Sequence, residues 1–349
     1  MDLTFWFYLS SGLFLGWSLG ASDAANIFGT AVGTKMVKFR TAAVISSVFI
    51  IIGAVYAGSG ASQTLGTLGS VNTLAGAFMA ALAAALTIYW TVKLSLPVST
   101  SQAIVGAIIG WNLFAGKPTD VTVLSKIVGT WIFCPILAGI IAVLLYFLIR
   151  LIIRRCRITL IRQDCYTRIG LILAGAFGAY ALGANNIANV MGVFVASSPL
   201  QAATVGSLFT LSPAQVLFFI GGIAISVGVF TYSRGLMTTV GNGIVRMSPL
   251  MAWVAVVSQA LVLYLFASQN LQHFLISHNL PSFPLVPVSS SQAIIGAVMG
   301  IGILKGSSIN WNLIGRIAVG WILTPIAAAL LCYISLFFLQ NVFNLEVCR

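Results

Sequence analysis

The sequence predicts an all-α polytopic membrane protein made of two inverted-topology repeats of five apolar segments each, with broken or re-entrant helices near the membrane midplane. Three observations predict it. Of the 349 residues, 59% are hydrophobic and 6% are charged, whereas an ordinary soluble domain is about 25% charged. The apolar residues gather into ten long runs, not into the short alternating segments of a membrane β-barrel. The runs form two sets of five whose motifs recur in the same order.

Taken in order, the runs lie near 4–33, 41–58, 73–92, 97–114, 125–149, 169–194, 214–232, 249–268, 287–304 and 317–341. The first carries no basic n-region and is followed by many like it, so it reads as a span and not as a secretory signal. Runs 4–33 and 169–194 exceed the ~20 residues that a straight span needs. Runs 97–114 and 287–304 are barely long enough, and each starts at a proline, Pro97 and Pro287, which suits broken or re-entrant helices. The five cysteines, Cys134, Cys156, Cys165, Cys332 and Cys348, have no CxxC or metal-ligand spacing. Their odd number reads as free thiols in a reducing environment.

The net charge is +12. It points to no nucleic acid, because the basic residues fall in loops between the runs. One set of loops holds Lys35, Lys38, Arg40, Lys93, Arg150, Arg154, Arg155, Arg157, Arg162, Arg168, Arg234, Arg246, Lys305 and Arg316. The other holds Lys117, Lys126 and Arg349. A split of 14 against 3 puts the central loop in the cytoplasm and both termini outside. The chain thus divides into a first transmembrane repeat, 1–150, a basic cytoplasmic linker, 151–168, and a second, inverted transmembrane repeat, 169–349. The expected location is the cell membrane, multi-pass, in contact with membrane lipid.

The repetition is visible in three places. LGASDAANIFGTAVG, with Gly20, matches LGANNIANVMGVFVA, with Gly183. LPVSTSQAIVGAIIG, with Gln102, matches VPVSSSQAIIGAVMG, with Gln292. VGTWIFCPILAG matches AVGWILTPIAAA, pairing Trp131 with Trp321 and Pro135 with Pro325. Five spans per copy is an odd number, so the second copy enters the membrane upside down. The charges agree: basic Lys35–Arg40 follows the first span of one copy, and its counterpart, 195–212, carries no charge. Inverted repeats are characteristic of secondary transporters, with the site near the midplane between copies.

Of the five acids, Asp2, Asp120, Asp164 and Glu346 lie at termini or loops, and Asp23 alone lies within an apolar run. Burying a carboxylate at membrane depth costs on the order of 2.5–3.5 kcal/mol on insertion scales. No lysine or arginine shares its segment, so its expected partner is a bound cation or a proton. Sodium takes oxygen ligands, and Ser22, Asn26 and carbonyls of a broken helix are candidates, with Asn185 and Asn186 from the second copy. The repeat places Asn186 opposite Asp23, and Asn189 opposite Asn26. Mid-membrane amides need hydrogen-bond partners, and helix-to-helix glue is the alternative role. The segments Pro97–Gln102 and Pro287–Gln292 read as helix starts capped by hydroxyls. Two such N-termini facing each other at the midplane make an oxyanion site, and two plain N-capped helices are the alternative. His273 and His278 fall in an external loop and read as solvated.

At these motifs the chain resembles the inorganic phosphate transporter (PiT) family, whose two signatures read G-A-N-D-V-A-N. Here they stand as GASDAAN (Gly20–Asn26) and GANNIAN (Gly183–Asn189), and the family's P-V-S-T-T-H elements stand as PVSTSQ and PVSSSQ. A further similar stretch is GGIAISVGVFTYSRGLMTTVGNGIV, Gly221–Val245, and the resemblance spans about residues 5 to 340 in family order. It implies an inverted-repeat carrier that moves phosphate with sodium or with protons. By the same resemblance, Asp23 is a cation ligand. Asn26, Asn189, Ser99, Thr100, Ser101, Ser289, Ser290 and Ser291 form the anion cradle, with Gln102 and Gln292 standing where the family has histidines. Asn186 replaces a family aspartate, and the acid usual in the second span is absent from ISSVFIIIGAVY. Sodium and proton therefore both stay open as the coupling ion, and sulfate stays open beside phosphate.

The expected function is alternating-access uptake of inorganic phosphate coupled to a sodium or proton gradient. A sulfate permease of the same family and a passive anion channel are the alternatives. No enzyme is expected, because one buried acid without a buried histidine supplies no nucleophile–base set. No cofactor is expected beyond the coupling ion, and a homodimer is an allowed assembly.

Overall fold

The computed structural model describes residues 3–69, 71–93, 98–157, 159–205, 209–243, 245 and 247–348. Its helices are α1 (Leu3–Gly33), α2 (Phe39–Ala57), α3 (Ser59–Leu68), α4 (Leu74–Lys93), α5 (Thr100–Ala115), α6 (Val121–Arg155), α7 (Leu160–Met191), α8 (Pro213–Gly243), α9 (Pro249–Leu265), α10 (Gln269–Ser277), α11 (Ser290–Lys305) and α12 (Trp311–Phe343). A small antiparallel hairpin, β1 (Ala203–Val205) and β2 (Phe209–Leu211), pairs Thr204 with Thr210. Pro97, Asp2, Arg246 and Arg349, which entered the sequence argument, lie outside the described residues.

Each of the ten apolar runs is a helix. Six are long and apolar enough to cross a bilayer, and α9 with α10, bent by 68° at their junction, makes a seventh. The 31-residue α1 has the length to cross, but glycine, serine, aspartate and asparagine in its second half dilute its hydropathy. The two helices of 16 residues, α5 and α11, are the short pair that the prolines predict, and each starts from extended backbone at a serine cap. All five cysteines are free.

Three features depart from the expectations. The 151–168 stretch is largely helical and not a loop, since α6 runs to Arg155 and α7 begins at Leu160. Its arginines lie at and between the adjoining ends of two long helices. The helices α3 and α10 are short and partly polar, so they carry no span-length signal. Finally, α1 runs unbroken through Asp23, so its carbonyls there stay in helical hydrogen bonds and are not released as ion ligands.

Packing exchanges partners between the two halves. The main neighbour of α1 is α8, and α7 in turn packs on α2; α5 lies on α12 and α11 on α6. The close approaches are reciprocal. A Cβ on Gly106 would meet the backbone of Pro325, and one on Gly296 would meet that of Pro135. Likewise Gly20 abuts the Ile225 backbone and Gly183 that of Ile50. Small residues let helix backbones touch where lipid provides no hydrophobic drive for association. This partner exchange is the pattern that two inverted copies would produce.

Between α10 and α11 the chain descends without helix or strand, over 280–289, into the protein interior. Such backbone survives at membrane depth only if its polar groups are paired. Side chains pair them. Asn185 donates to the Val286 carbonyl (3.2 Å) and accepts from the Val288 N–H (2.9 Å). Ser101 donates to the Val288 carbonyl (3.0 Å), and Ser291 returns the bond to the Val98 carbonyl (3.3 Å).

Candidate functional site

The signature turns of α1 and α7 meet the N-termini of α5 and α11 in the interior. Ser99 caps α5 by accepting the Gln102 N–H at 3.3 Å, and Ser289 caps α11 by accepting the Gln292 N–H at 3.2 Å. A helix N-terminus leaves N–H groups free and carries positive partial charge. Here two of them are brought together, lashed by the reciprocal Ser101 and Ser291 bonds.

Asp23 enters this assembly from α1 and is 2% exposed. Its carboxylate accepts from the Ser22 hydroxyl at 3.2 Å and from the Asn186 amide of α7 at 3.3 Å. The hydroxyls of Ser290 and Thr100, one from each helix start, stand beside it. Among the described residues no lysine or arginine is paired with it; Arg168 pairs instead with Asp164, exposed near the start of α7. Three or more His, Cys, Asp or Glu side chains grouped as a metal site are likewise absent among the described residues. The oxygens gathered there come from the Asp23 carboxylate and the neighbouring hydroxyls, which suits a hard cation and no thiophilic one, while Asn186 turns its NH2 toward the carboxylate.

A single chain of hydrogen bonds joins Asp23 to the N-terminus of α5. Asn186 donates to Asp23. Asn189 donates to the Asn186 amide oxygen (3.4 Å) and to the Ser101 hydroxyl (2.9 Å), which donates onward to Val288. Across the site, Asn26 donates to the Ser290 hydroxyl at 3.3 Å.

The structure brings the predicted residues together and sorts them. Ser22 and Asn186 both donate to Asp23, whereas Asn185, predicted with them, spends both halves of its amide on the 286–288 backbone. Its physical role is to hold that segment in place. Among the six hydroxyls, Ser99 and Ser289 cap helices, and Ser101 and Ser291 donate to opposite loops. The two middle residues, Thr100 and Ser290, are left facing the carboxylate. The Thr100 hydroxyl, 1% exposed, has no hydrogen-bond partner. The side-chain oxygens of Gln102 and Gln292 are also buried without partners.

Sequence reasoning missed Gln259 on α9, which is 1% exposed and donates to the Ser290 carbonyl at 3.3 Å. A signal for it exists. ALTIY (85–89) and ALVLY (260–264) match at an offset that places Gln259 opposite Ala84, an amide amid an apolar run. Cys134 was also missed as a weak donor to the Ser289 carbonyl, at 3.8 Å.

Comparison with known proteins places this geometry. A profile of the phosphate transporter family matches residues 19–167 and 157–332. The chain belongs to the phosphate transporter family. Its relatives include proteins named as phosphate permeases in Methanocaldococcus jannaschii, 28% identical over 96% of this chain and 95% of the relative, and in Haemophilus influenzae, 24% identical over 97% of each. A protein named as a low-affinity inorganic phosphate transporter in Rhizobium meliloti is 27% identical over 96% of this chain and 98% of its own. The family's fold is also known. A solved structure titled the sodium-dependent phosphate transporter aligns over 98% of this chain and 100% of its own, with a TM-score of 0.78 and 23% identity. These relatives are named as permeases and transporters rather than enzymes.

Proposed function

We propose that this member of the family is a secondary active transporter that imports inorganic phosphate with sodium by alternating access. One observation carries the reading: a lone buried carboxylate, Asp23, sits against two converging helix N-termini that are built to hold an oxyanion.

Coupling follows from charge and hydrogen-bond competition. An incoming phosphate and the Asp23 carboxylate draw on the same Thr100 and Ser290 hydroxyls, and the two anions repel. A sodium ion on Asp23, completed by the Ser22 hydroxyl, cancels that repulsion. It also draws the carboxylate away from the two hydroxyls. The anion then takes the Thr100 and Ser290 hydroxyls, the free N–H groups of α5 and α11, and the Asn26 amide. Ser99, Ser101, Ser289 and Ser291 hold the cradle in shape, and Gln102 and Gln292 stand on its first helical turn. Loading thus requires cation and anion together.

The burial of the cradle supports a carrier over an open pore: Asp23, Asn26, Thr100, Asn189 and Ser290 are all 3% exposed or less. The exchange of partners between halves supports rocking of one pair of helix groups against the other around this centre.

Uptake of labelled phosphate into proteoliposomes of purified protein tests the reading. An inward sodium gradient should drive accumulation above the external concentration. Accumulation driven by a pH gradient alone would transfer the coupling role to protons. Mere equilibration would make the protein a channel, and preferential sulfate accumulation would make it a sulfate permease.

A further inference from the structure

The hydrogen bonds of the cradle fix the orientation of two buried amides. The Ser101 hydroxyl donates to the Val288 carbonyl, so toward Asn189 it acts as acceptor. Asn186 donates its N–H to the Asp23 carboxylate, so its oxygen is what faces Asn189. Asn189 must therefore turn its NH2 toward both and its oxygen elsewhere. That oxygen is buried, at a residue 0% exposed, and has no donor. Gln259 is fixed in the same way. A carbonyl can only accept, so the bond to Ser290 must come from the Gln259 NH2, leaving its oxygen also buried and without a donor. The first amide is tied to α5 and the second to α11, the two helices of the cradle.

An unpaired buried acceptor is costly, and the cost is recovered when a donor arrives. Phosphate near neutral pH carries one or two P–OH groups, whereas sulfate has the same shape and no proton. Resting on the phosphate reading above, we propose that the Asn189 and Gln259 amide oxygens accept hydrogen bonds from substrate P–OH groups and thereby select protonated phosphate against sulfate. A carboxylate in either place would also accept the proton but would repel the anion. A neutral amide oxygen accepts without adding charge. The Asp23 charge is kept for the cation. Gln259 has an alanine, Ala84, as its counterpart in the first repeat, so the second repeat alone supplies this oxygen from α9.

The test is competition against labelled phosphate uptake in proteoliposomes of the full chain, in wild type, Gln259→Met and Asn189→Ala. Competitors are unlabelled phosphate, arsenate (protonated like phosphate), sulfate, and monofluorophosphate, which has phosphate's shape but no proton at neutral pH. In wild type, phosphate and arsenate should compete alike, and sulfate and monofluorophosphate about 100-fold more weakly or worse, the scale set by two buried acceptors left without donors. Each substitution should weaken phosphate and narrow the phosphate-to-sulfate ratio about tenfold. Gln259→Met keeps length and volume, so it decides the matter if Asn189→Ala does not fold. An unchanged ratio in Gln259→Met, or a wild type that does not discriminate monofluorophosphate from phosphate, overturns the proposal. Wild-type protein that accumulates no phosphate overturns the functional reading instead.

Discussion

Replacing Asp23 with asparagine tests the coupling site most sharply, because the substitution keeps shape and removes charge. The native carboxylate accepts from Ser22 and Asn186. Hydrogen bonds to a charged group contribute about 1.5–3 kcal/mol, and neutral ones about 0.5–1.5. Over the two bonds asparagine therefore forfeits about 2–3 kcal/mol of local bonding. Against that stands the insertion cost of a charge at membrane depth, about 2.5–3.5 kcal/mol, which the amide avoids. The two nearly cancel, so in cation-free buffer Asp23→Asn should melt within a few degrees of wild type. Cation binding should not survive. At about 4 Å and an effective dielectric near 20, an ion and a carboxylate attract by about 4 kcal/mol. At 1.4 kcal/mol per decade that is a loss of about a thousandfold in affinity. Wild type should gain about 2.7 kcal/mol of stability at sodium 100 times its Kd, and the variant none. Differential scanning fluorimetry against sodium, with potassium as control, reads this directly, and sodium-driven uptake should vanish in parallel. A variant that keeps both the sodium-dependent melting shift and concentrative uptake would refute the assignment of the ion to Asp23.

Asn186→Asp would set a second carboxylate about where an amide now donates to Asp23 at 3.3 Å. Two like charges at that distance require a further cation, so the Hill coefficient for sodium and the charge moved per phosphate in current recordings should both rise. Gly296→Leu would drive a side chain into the backbone of Pro135 and part α11 from α6. Overpacking costs about 1–3 kcal/mol or more, so the purified variant should melt lower and bind phosphate more weakly, while the same change at exposed Gly315, with open space around its Cβ, should do neither. The paired substitution Ser101→Ala with Ser291→Ala removes the bonds to Val288 and Val98. It should lower stability by about 1–3 kcal/mol in all and raise the KM for phosphate, with the sodium requirement kept.

The ten apolar helices were legible because hydrocarbon imposes length and apolarity on anything that crosses it, and the four motifs that meet in the interior were legible because they recur. What escaped reading lacked one or other signal. The polar helices α3 and α10 are too short for a span-length window. The 151–168 stretch looked like a loop because arginines crowd it, yet arginine is a good helix former and its charge only needs water. Asn185 looked like an ion ligand because it adjoins Asn186. Adjacent residues on a helix point about 100° apart, so the neighbour turns to the 286–288 backbone instead. Among the six hydroxyls, no motif could separate caps and lashings from the two that face the carboxylate, because that depends on which loop each one meets.

The repeat itself explains where sequence inference has to stop. A two-fold scaffold assigns each residue a twin, and its shared architecture follows from that pairing: Gly106 with Gly296, Ser99 with Ser289, Ser101 with Ser291. The cargo is not two-fold symmetric, because a cation and an anion must occupy different places. The distinction between the two ions must therefore rest in part on where the twins differ. They differ at Asp23 against Asn186, which gives one charge instead of two, and at Ala84 against Gln259, which gives one amide oxygen instead of none. Both differences sit within the same buried network, with the charge on α1 of one half and the additional acceptor on α9 of the other. Restoring symmetry at either place should then damage transport more than it damages folding. The symmetric serines Ser99, Ser101, Ser289 and Ser291 should behave the opposite way, because their bonds hold the two helix starts whichever ion is carried.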